Sequence, residues 1–271
     1  MKKAQSVALI GAGKLTDSSL ARFWALSELL GPVKASSFRL ASRIANRLRA
    51  GYPVKDCSEF DACRLILICV PDRSVKGVVA ELCSAPIHWP RKAVVLCSTW
   101  LDSMELRPLA ARGASVGSLS TIPGFDDTRY LVEGDRLAVL ESRRLVEHGE
   151  RRAVAIERQL KPLFLTALTC TGSLLVPLLM AASESLRHAG VPSAASAAIL
   201  EKQLSQSLRS YVRGGRRAYQ EPRELPRQLR ALSIADPPLA SYIEQSCRLA
   251  ARLLEARQPL AEKHYSAAQL A

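Results

Sequence analysis

The sequence is poor in the residues that most often bind metal ions. Its four histidines are scattered along 271 residues, and none of its seven cysteines forms a C-x-x-C pair. Zinc and similar ions need several such ligands close together, so no metal site is predicted. The odd number of cysteines, several of them within apolar runs, indicates reduced and buried thiols in a cytoplasmic protein.

Aromatic residues are also scarce, at 5% of the chain, and no basic motif with interleaved aromatic residues is present. Nucleic-acid binding is therefore not predicted, although the formal net charge is +13. The basic residues are spread along the chain and mixed with acidic ones, which favours a solvated, arginine-rich surface. An anionic small molecule is also compatible with this charge.

One long stretch has no charged residue. Residues 163–182 are uncharged over about the length of a membrane span. Threonine, serine, glycine and proline dilute the stretch, and a helix that is apolar on all sides is also typical of a protein core. We therefore predict no membrane partner. Because one small helical domain offers too little cover for such a helix, we predict a homodimer built through the C-terminal helices.

Short apolar runs alternate with helical spacing in the first half of the chain. This alternation predicts a parallel sheet with right-handed crossovers, that is, an α/β, Rossmann-like doubly wound fold. The predicted strands lie at residues 7–10, 33–38, 65–70, 93–97 and 114–119, with further strands within 130–140. The predicted helices between and after them are 20–30, 41–48, 75–82, 104–111 and 150–160.

Beyond this region the pattern is wholly helical, which predicts an all-α C-terminal domain. The sequence thus divides into an α/β domain at residues 1–160 and a helical domain at residues 161–271. Its predicted helices are 163–182, 194–212 and 238–256.

The first strand runs into a partial G-x-G-x-x-G fingerprint. Gly11 and Gly13 occupy the two positions that allow a tight turn and a close approach to a pyrophosphate, whereas Thr16 replaces the third glycine. Asp17 then places a carboxylate where it would repel phosphate. A strand–turn–helix without a ligand stays an alternative. The predicted cofactor contacts here are Gly11, Ala12, Gly13, Lys14, Leu15 and Thr16.

The end of the second predicted strand selects between NAD and NADP. NAD-binding folds place an acidic residue there, whereas NADP-binding folds use arginine for the 2′-phosphate. This chain has Arg39 and, about one helical turn later, Arg43, with no acidic residue between them and the strand. We therefore predict NADP as the cofactor, with NAD possible. Two surface arginines of a basic protein are the alternative interpretation.

Several segments resemble the 6-phosphogluconate-dehydrogenase-like superfamily. They are GAG at 11–13, LILICVPDRSV at 65–75, VVLCST at 94–99 and LRPLAARGASVGSL at 106–119. Within the superfamily the chain is similar to pyrroline-carboxylate-reductase-like and deazaflavin-dependent NADP-reductase-like proteins. More narrowly, it resembles the uncharacterised family that joins a Rossmann-like domain to a C-terminal helical domain of unknown function.

This resemblance implies an N-terminal NAD(P) domain, a helical dimerisation domain and a small-molecule substrate beside the nicotinamide. It also implies further cofactor contacts in the loops after the fourth and fifth strands of the family pattern. Those contacts are Val70, Pro71, Asp72, Ser98 and Thr99.

The chain departs from the family pattern where catalytic residues are expected. Ser120 and Thr121 replace a His-Pro pair, and residues 163–187 contain no Lys, His or Asn. Ser173 lies at the position of the expected Asn. Hydroxyl groups are poor general acids unless a neighbour tunes them. The remaining candidate catalytic residues are Ser98, Ser120 and Ser173.

Three functions are compatible with this pattern. The first is an NADP-dependent oxidoreductase acting on a small carbonyl or imine compound, because a protonated imine needs less help from an acid. The second is a catalytically inactive NAD(P)-binding sensor or scaffold. The third is a basic interaction protein that has kept the fold and lost the ligand.

Overall fold

The computed structural model describes residues 6–12, 28–123, 129–149 and 151–256. The chain forms two units, Met1–Ala167 and Leu168–Ala271. The first is built on a sheet and the second is helical. The predicted α/β fold followed by an all-α region is confirmed.

The first unit contains an eight-stranded sheet in the order β3-β2-β1-β4-β5-β6-β7-β8. Its first six strands have the order of a dinucleotide-binding sheet, with the change of direction beside β1. All strand pairs are parallel except β6 with β7. The strands are β1 Val7–Gly11, β2 Leu30–Lys34, β3 Tyr52–Pro53, β4 Leu65–Cys69, β5 Ala93–Leu96, β6 Ser115–Thr121, β7 Arg129–Gly134 and β8 Arg152–Ala155.

Both faces of the sheet are buried. In β4, Leu65 and Leu67 belong to one apolar cluster, while Ile66 and Ile68 belong to the other. Because successive side chains of a strand point to opposite faces, an uninterrupted apolar run is needed where both faces are covered. The helices of this unit are α1 Phe38–Leu48, α2 Val75–Ser84, α3 Arg107–Ala110 and α4 Arg136–His148; α5 Lys161–Thr171 begins in it.

The second strand differs from its prediction. β2 spans Leu30–Lys34. Gly31 and Pro32, which follow the predicted helix at 20–30, lie inside this strand. The ladder with β1 is irregular there, because Val7 pairs with Leu30 but Leu9 pairs with Val33. Pro32 lacks an N–H to donate to a neighbouring strand, which makes it suited to such an irregularity. Phe38, predicted to end this strand, begins α1 instead.

Two later predictions were wrong. Residues 136–140, expected to continue a strand, begin α4 after Asp135 in the N-cap position, which aspartate favours. Residues 150–160 were predicted as a charged helix, yet Arg152–Ala155 form β8, which pairs in parallel with β7. β8 is an edge strand with partly exposed residues, and such strands tolerate flanking charges.

The second unit consists of helices with little buried surface of its own. Its buried side chains within the described residues are Ala181, Ser196 and Ala240. The uncharged stretch is not a single core helix, because a turn at 172–174 separates α5 from α6. The remaining helices are α6 Leu175–His188, α7 Ser193–Gly214, α8 Leu225–Ala235, which was not predicted, and α9 Pro237–Glu255.

The segment Lys161–His188 is long and apolar enough to cross a membrane by length and composition alone, with a mean hydropathy of 1.9 over its most apolar window. None of its most apolar window is buried within the chain. Exposed apolar side chains here include Leu163, Leu174 and Met180. The single chain therefore leaves these apolar side chains exposed, and the homodimer predicted to cover them stays a prediction.

Candidate functional site

The carboxyl ends of β1 and β4 lie side by side, as the site of a doubly wound sheet requires. Gly11 pairs with Cys69, and the Ala12 N–H donates a 3.1 Å hydrogen bond to the Cys69 carbonyl oxygen. Of the predicted fingerprint contacts, Gly11 and Ala12 are thus placed at this edge. Gly13, Lys14, Leu15 and Thr16 lie outside the described residues.

The chain leaves β4 through Val70, Pro71 and Asp72. Val70 is partly buried, whereas Pro71 and Asp72 are exposed. A short 3-10 turn, Asp72–Ser74, then leads directly into α2. Asp72 Oδ1 accepts a 2.8 Å hydrogen bond from the Ser98 hydroxyl, so the loops after β4 and β5 are joined at this point.

Ser98 is buried and its hydroxyl is fully occupied. Besides donating to Asp72, Ser98 Oγ accepts hydrogen bonds from the backbone N–H groups of Trp100 at 3.2 Å and Leu101 at 3.0 Å. One hydrogen and two lone pairs exhaust what a serine hydroxyl offers. Ser98 therefore fixes the turn after β5, and its proton is not available for transfer to a substrate without breaking the bond to Asp72. Thr99 is partly buried in the same turn.

Lys161, the first residue of α5, lies at the candidate site and was not predicted from the sequence. Its side chain is nearly completely buried, and Nζ donates to the carbonyl oxygens of Ser98 at 2.6 Å and Leu101 at 2.7 Å. A third hydrogen bond, 3.2 Å long, joins Nζ to Ser118 Oγ on β6. Lys161 lies two positions before the uncharged stretch 163–182, and a lone lysine before an apolar helix is the signal in the sequence.

Burial lowers the pKa of Lys161 to about 8, because the charged ammonium is removed from water. The negative charges of Glu133, Asp102 and Asp72 act in the opposite direction and favour the ammonium. With all three hydrogens donated to described residues, Lys161 holds the loop rather than offering a proton to a ligand.

A buried carboxylate fixes the far end of the same loop. Glu133 on β7 is fully buried, and its two oxygens accept hydrogen bonds from the Ser103 N–H at 2.7 Å and the Ser103 hydroxyl at 2.8 Å. Charge-assisted hydrogen bonds of this kind are the stronger ones in proteins. Residues 98–103 are therefore held between an ammonium at one end and a carboxylate at the other.

The other two candidate hydroxyls lie in different places. Ser120 follows Ser118 by two residues on β6, so it lies on the same face of the sheet as the Lys161 contact and nearer the carboxyl end. The Ser120 side chain is buried. Ser173 lies in the exposed turn between α5 and α6 and belongs to the second unit.

The end of β2 carries positive charge on its exposed side. Ser37 caps α1 by accepting a 3.2 Å hydrogen bond from the Leu40 N–H. Arg39 and Arg43 follow on consecutive turns of α1 and are exposed. Neither forms an ion pair with a described residue, in contrast to Lys34, which binds Glu81 at 2.6 Å. This edge could therefore accept an anionic group.

Metal ligation finds no support in the described ranges, since no group of three or more His, Cys, Asp or Glu side chains there could hold an ion.

No protein-family model and no curated protein matches this sequence. Solved structures do match. A candidate NADP oxidoreductase of Bacteroides fragilis aligns with a TM-score of 0.69 at 14% identity, over 94% of this chain and 99% of the other. This chain has the same fold. The predicted fold, a Rossmann-like sheet followed by helices, is thus confirmed.

Two enzymes of defined reaction share this fold. A reductive aminase of Aspergillus terreus, in complex with NADPH and ethyl levulinate, has a TM-score of 0.61 at 15% identity, covering 94% of this chain and 95% of the other. An imine reductase of Bacillus cereus has a TM-score of 0.61 at 14% identity, covering 92% and 93%.

Proposed function

We propose that this protein is an NADP-dependent oxidoreductase that reduces a small imine or carbonyl compound. The observation that carries the proposal is the exposed pair Arg39 and Arg43 at the carboxyl edge of a dinucleotide-binding sheet, with no carboxylate at the end of β2. Two guanidinium groups one helical turn apart suit a 2′-phosphate. The shared fold with an NADPH-bound reductive aminase and an imine reductase supports the type of reaction.

The residues at the edge fit such a cofactor. Gly11 and Ala12 would approach the pyrophosphate, while Val70, Pro71 and Asp72 would lie along the cofactor. Ser98 and Thr99 would face the nicotinamide, with their loop already fixed by Lys161. When bound, the cofactor supplies the hydride, and the protein supplies position and electrostatics.

The hydrogen bonds of the loop favour an imine over a ketone. A ketone needs a proton at oxygen during reduction, and a positioned acid typically contributes about 10²–10⁴-fold. The Ser98 hydroxyl donates a hydrogen bond to Asp72, and the Lys161 ammonium donates three hydrogen bonds to other residues of the protein. Ser120 and Ser173 remain as hydroxyls that could orient a substrate. A protonated imine arrives already activated, so orientation suffices.

Titration with NADPH and NADH tests the proposal. We expect tighter binding of NADPH, and loss of that preference in Arg39→Ala. Arg47→Ala is the matched control, because Arg47 is also an exposed arginine of α1 but lies in its last turn. Equal affinities in the wild type, or the same loss in both variants, would contradict the proposal.

The helical unit, by this proposal, forms a homodimer. α7 carries an apolar stripe at helical spacing, with Leu204, Leu208 and Val212 exposed on it. A unit of this size with so few buried side chains needs a partner surface, and a second copy has the matching stripe.

The seven cysteines are all free thiols, which supports a reducing, cytoplasmic environment.

A catalytically inactive sensor or scaffold is the second candidate. The sensor or scaffold function is favoured because Ser98 and Lys161 both donate hydrogen bonds to other residues of the protein. Assaying NADPH oxidation with a panel of imines, keto acids and aldehydes separates the two functions. NADPH binding without oxidation above the buffer rate would favour the sensor.

A further inference from the structure

Two thiols lie next to each other at the carboxyl edge of the sheet. Ile68 of β4 pairs with Leu96 of β5, and the next residues along these two strands are Cys69 and Cys97. The ladder continues to this point, because the Cys97 N–H donates a 2.9 Å hydrogen bond to the Ile68 carbonyl oxygen. Cys69 and Cys97 are therefore direct neighbours in the register of the sheet.

The two thiols also share one face of the sheet. Cys69 belongs to the apolar cluster that contains Leu67, and Cys97 packs against the same cluster. Ile68 and Leu96, one residue earlier on each strand, belong to the cluster on the opposite face, as the alternation of side chains requires. A hydrogen bond between the two thiols, together with burial, raises the pKa of Cys69 well above its ordinary value.

The spacing of paired strands suits a disulfide bond between these residues, both of which are free thiols in the structure. Neighbouring strands lie about 4.8 Å apart, within the range of about 4.4–6.8 Å that separates the Cα atoms of disulfide-bonded cysteines. The Cβ atoms of a disulfide are about 3.8 Å apart, which is less than the spacing of the strands. Closing the bond therefore draws the ends of β4 and β5 together.

The two thiols differ in their access to solvent. Cys97 is partly exposed, whereas Cys69 is buried, at 6% exposure. The Cys97 thiol is also one of the groups whose negative charge opposes the lowering of the Lys161 pKa, so it lies within electrostatic reach of the Lys161 ammonium. A partly exposed thiol near a cation, with a second thiol beside it, is typical of redox-sensitive cysteines. An oxidant therefore reaches Cys97 first.

We propose that Cys69 and Cys97 form a reversible dithiol–disulfide switch, a modification site for hydrogen peroxide at the edge of the sheet where the cofactor would bind. The Cys97 sulfur attacks one peroxide oxygen, the O–O bond breaks, and water leaves with the thiol proton, which gives a sulfenic acid. The Cys69 sulfur then attacks the Cys97 sulfur, the S–O bond breaks, and a second water leaves with the Cys69 proton. Two thiols are oxidised to one disulfide, and one peroxide is reduced to two waters. A dithiol reductant reverses the change.

The disulfide acts on the candidate site through the backbone. The Cys69 carbonyl oxygen accepts the 3.1 Å hydrogen bond from the Ala12 N–H, which holds the start of the fingerprint turn. Cys97 directly precedes Ser98, whose hydroxyl joins the two loops through Asp72. Because the disulfide draws the two strand ends together, it displaces both contacts. Oxidation therefore lowers the affinity for NADPH, a consequence that rests on the proposed function.

The experiment oxidises the full chain with hydrogen peroxide, blocks the remaining thiols with iodoacetamide and maps the peptides without reduction. We expect a peptide pair linked through Cys69 and Cys97 in the wild type. Cys83→Ser, which replaces a partly buried thiol of α2, is the matched control and should give the same pair. Cys97→Ser, a change at the more exposed position, should give none. Cys69→Ala should stop at a sulfenic acid on Cys97, which dimedone traps.

Fluorescence titration measures the Kd of NADPH before and after oxidation. We expect oxidation to raise this Kd about tenfold in the wild type, the order of one lost hydrogen bond, and dithiothreitol to restore it. Cys83→Ser should respond as the wild type does. In Cys97→Ser the Kd should be the same before and after peroxide.

The outcomes separate this inference from the proposed function. If the oxidised wild type contains no peptide pair linked through Cys69 and Cys97, the switch is overturned whatever the protein binds. A linked pair with an unchanged Kd overturns the control of the cofactor site. If the reduced wild type does not bind NADPH, the proposed function fails, while a linked pair still supports the modification site.

Discussion

Lys161 Nζ lies 2.6 Å from the carbonyl oxygen of Ser98, a residue 63 positions earlier in the chain. This bond joins the start of the apolar helix α5 to the turn after β5. The same ammonium bonds Leu101 and Ser118, so one buried charge organises the loop on which the candidate nicotinamide-facing residues lie. Removing it is the most informative change to the site.

We expect Lys161→Met to lower the free energy of unfolding by about 2–3 kcal/mol, because two buried carbonyl groups lose their donor. Urea denaturation followed by circular dichroism measures this. Lys202→Met, an exposed lysine of α7, serves as the control and should change stability by less than about 0.5 kcal/mol. Equal stability of the two variants would show that the Lys161 hydrogen bonds contribute nothing net.

The pH dependence of stability should carry the signature of Lys161. The pKa of Lys161 is lowered to about 8 in the folded protein. At pH values between about 8 and the ordinary pKa of lysine, the Lys161 side chain is therefore more protonated in the unfolded chain than in the folded one. Stability from this group therefore rises with pH across this window, by up to about 1.4 kcal/mol per pH unit.

The thiols of Cys57 and Cys63 make stability fall as the pH rises through the ordinary pKa of a thiol. The reason is that burial raises their pKa values to about 12 and about 11 in the folded protein. The test is therefore the difference between wild type and Lys161→Met in denaturation midpoints from pH 7 to 10. Parallel curves would contradict a lowered pKa at Lys161.

Ser98→Ala should distinguish positioning from acid catalysis. The variant loses the bonds to Asp72 and to two backbone N–H groups, which should cost about 1–2 kcal/mol of stability and raise the KM for imines. The pH profile of kcat should keep its shape, since Ser98 holds the turn. Ser84→Ala, an exposed serine of α2, is the control. A drop in kcat of about 100-fold or more, with a lost limb in the pH profile, would instead indicate an acid.

Leu208→Arg should dissociate the homodimer that we propose. Leu208 is 64% exposed on the apolar stripe of α7, and a buried unpaired guanidinium at an interface is strongly unfavourable. Gln206→Arg introduces the same side chain on the polar face of the same helix and should leave the dimer intact. Sedimentation velocity at micromolar concentration measures the oligomeric state of both variants. A wild-type protein that sediments only as a monomer would refute the dimer.

The sheet strands that were predicted well are those buried on both faces. Residues 65–70 form an unbroken apolar run, and no other local structure of that length accommodates it between two layers. The edge strand β8 was taken for a helix because its burial is partial and its flanking residues are charged. Edge strands need few apolar residues, so their local sequence says little about them.

The sequence by itself determined the alternation of strands and helices, the arginines at the start of α1 and the uncharged stretch, because each of these is a property of neighbouring residues. Only the tertiary structure decided that the Ser98 hydroxyl donates a hydrogen bond to Asp72 and that Lys161 is buried. Their hydrogen-bond partners lie 26 and 63 positions away along the chain. A lysine before an apolar helix is ordinarily solvated. Here the turn after β5 and the middle of β6 supply the three acceptors that make its burial tolerable.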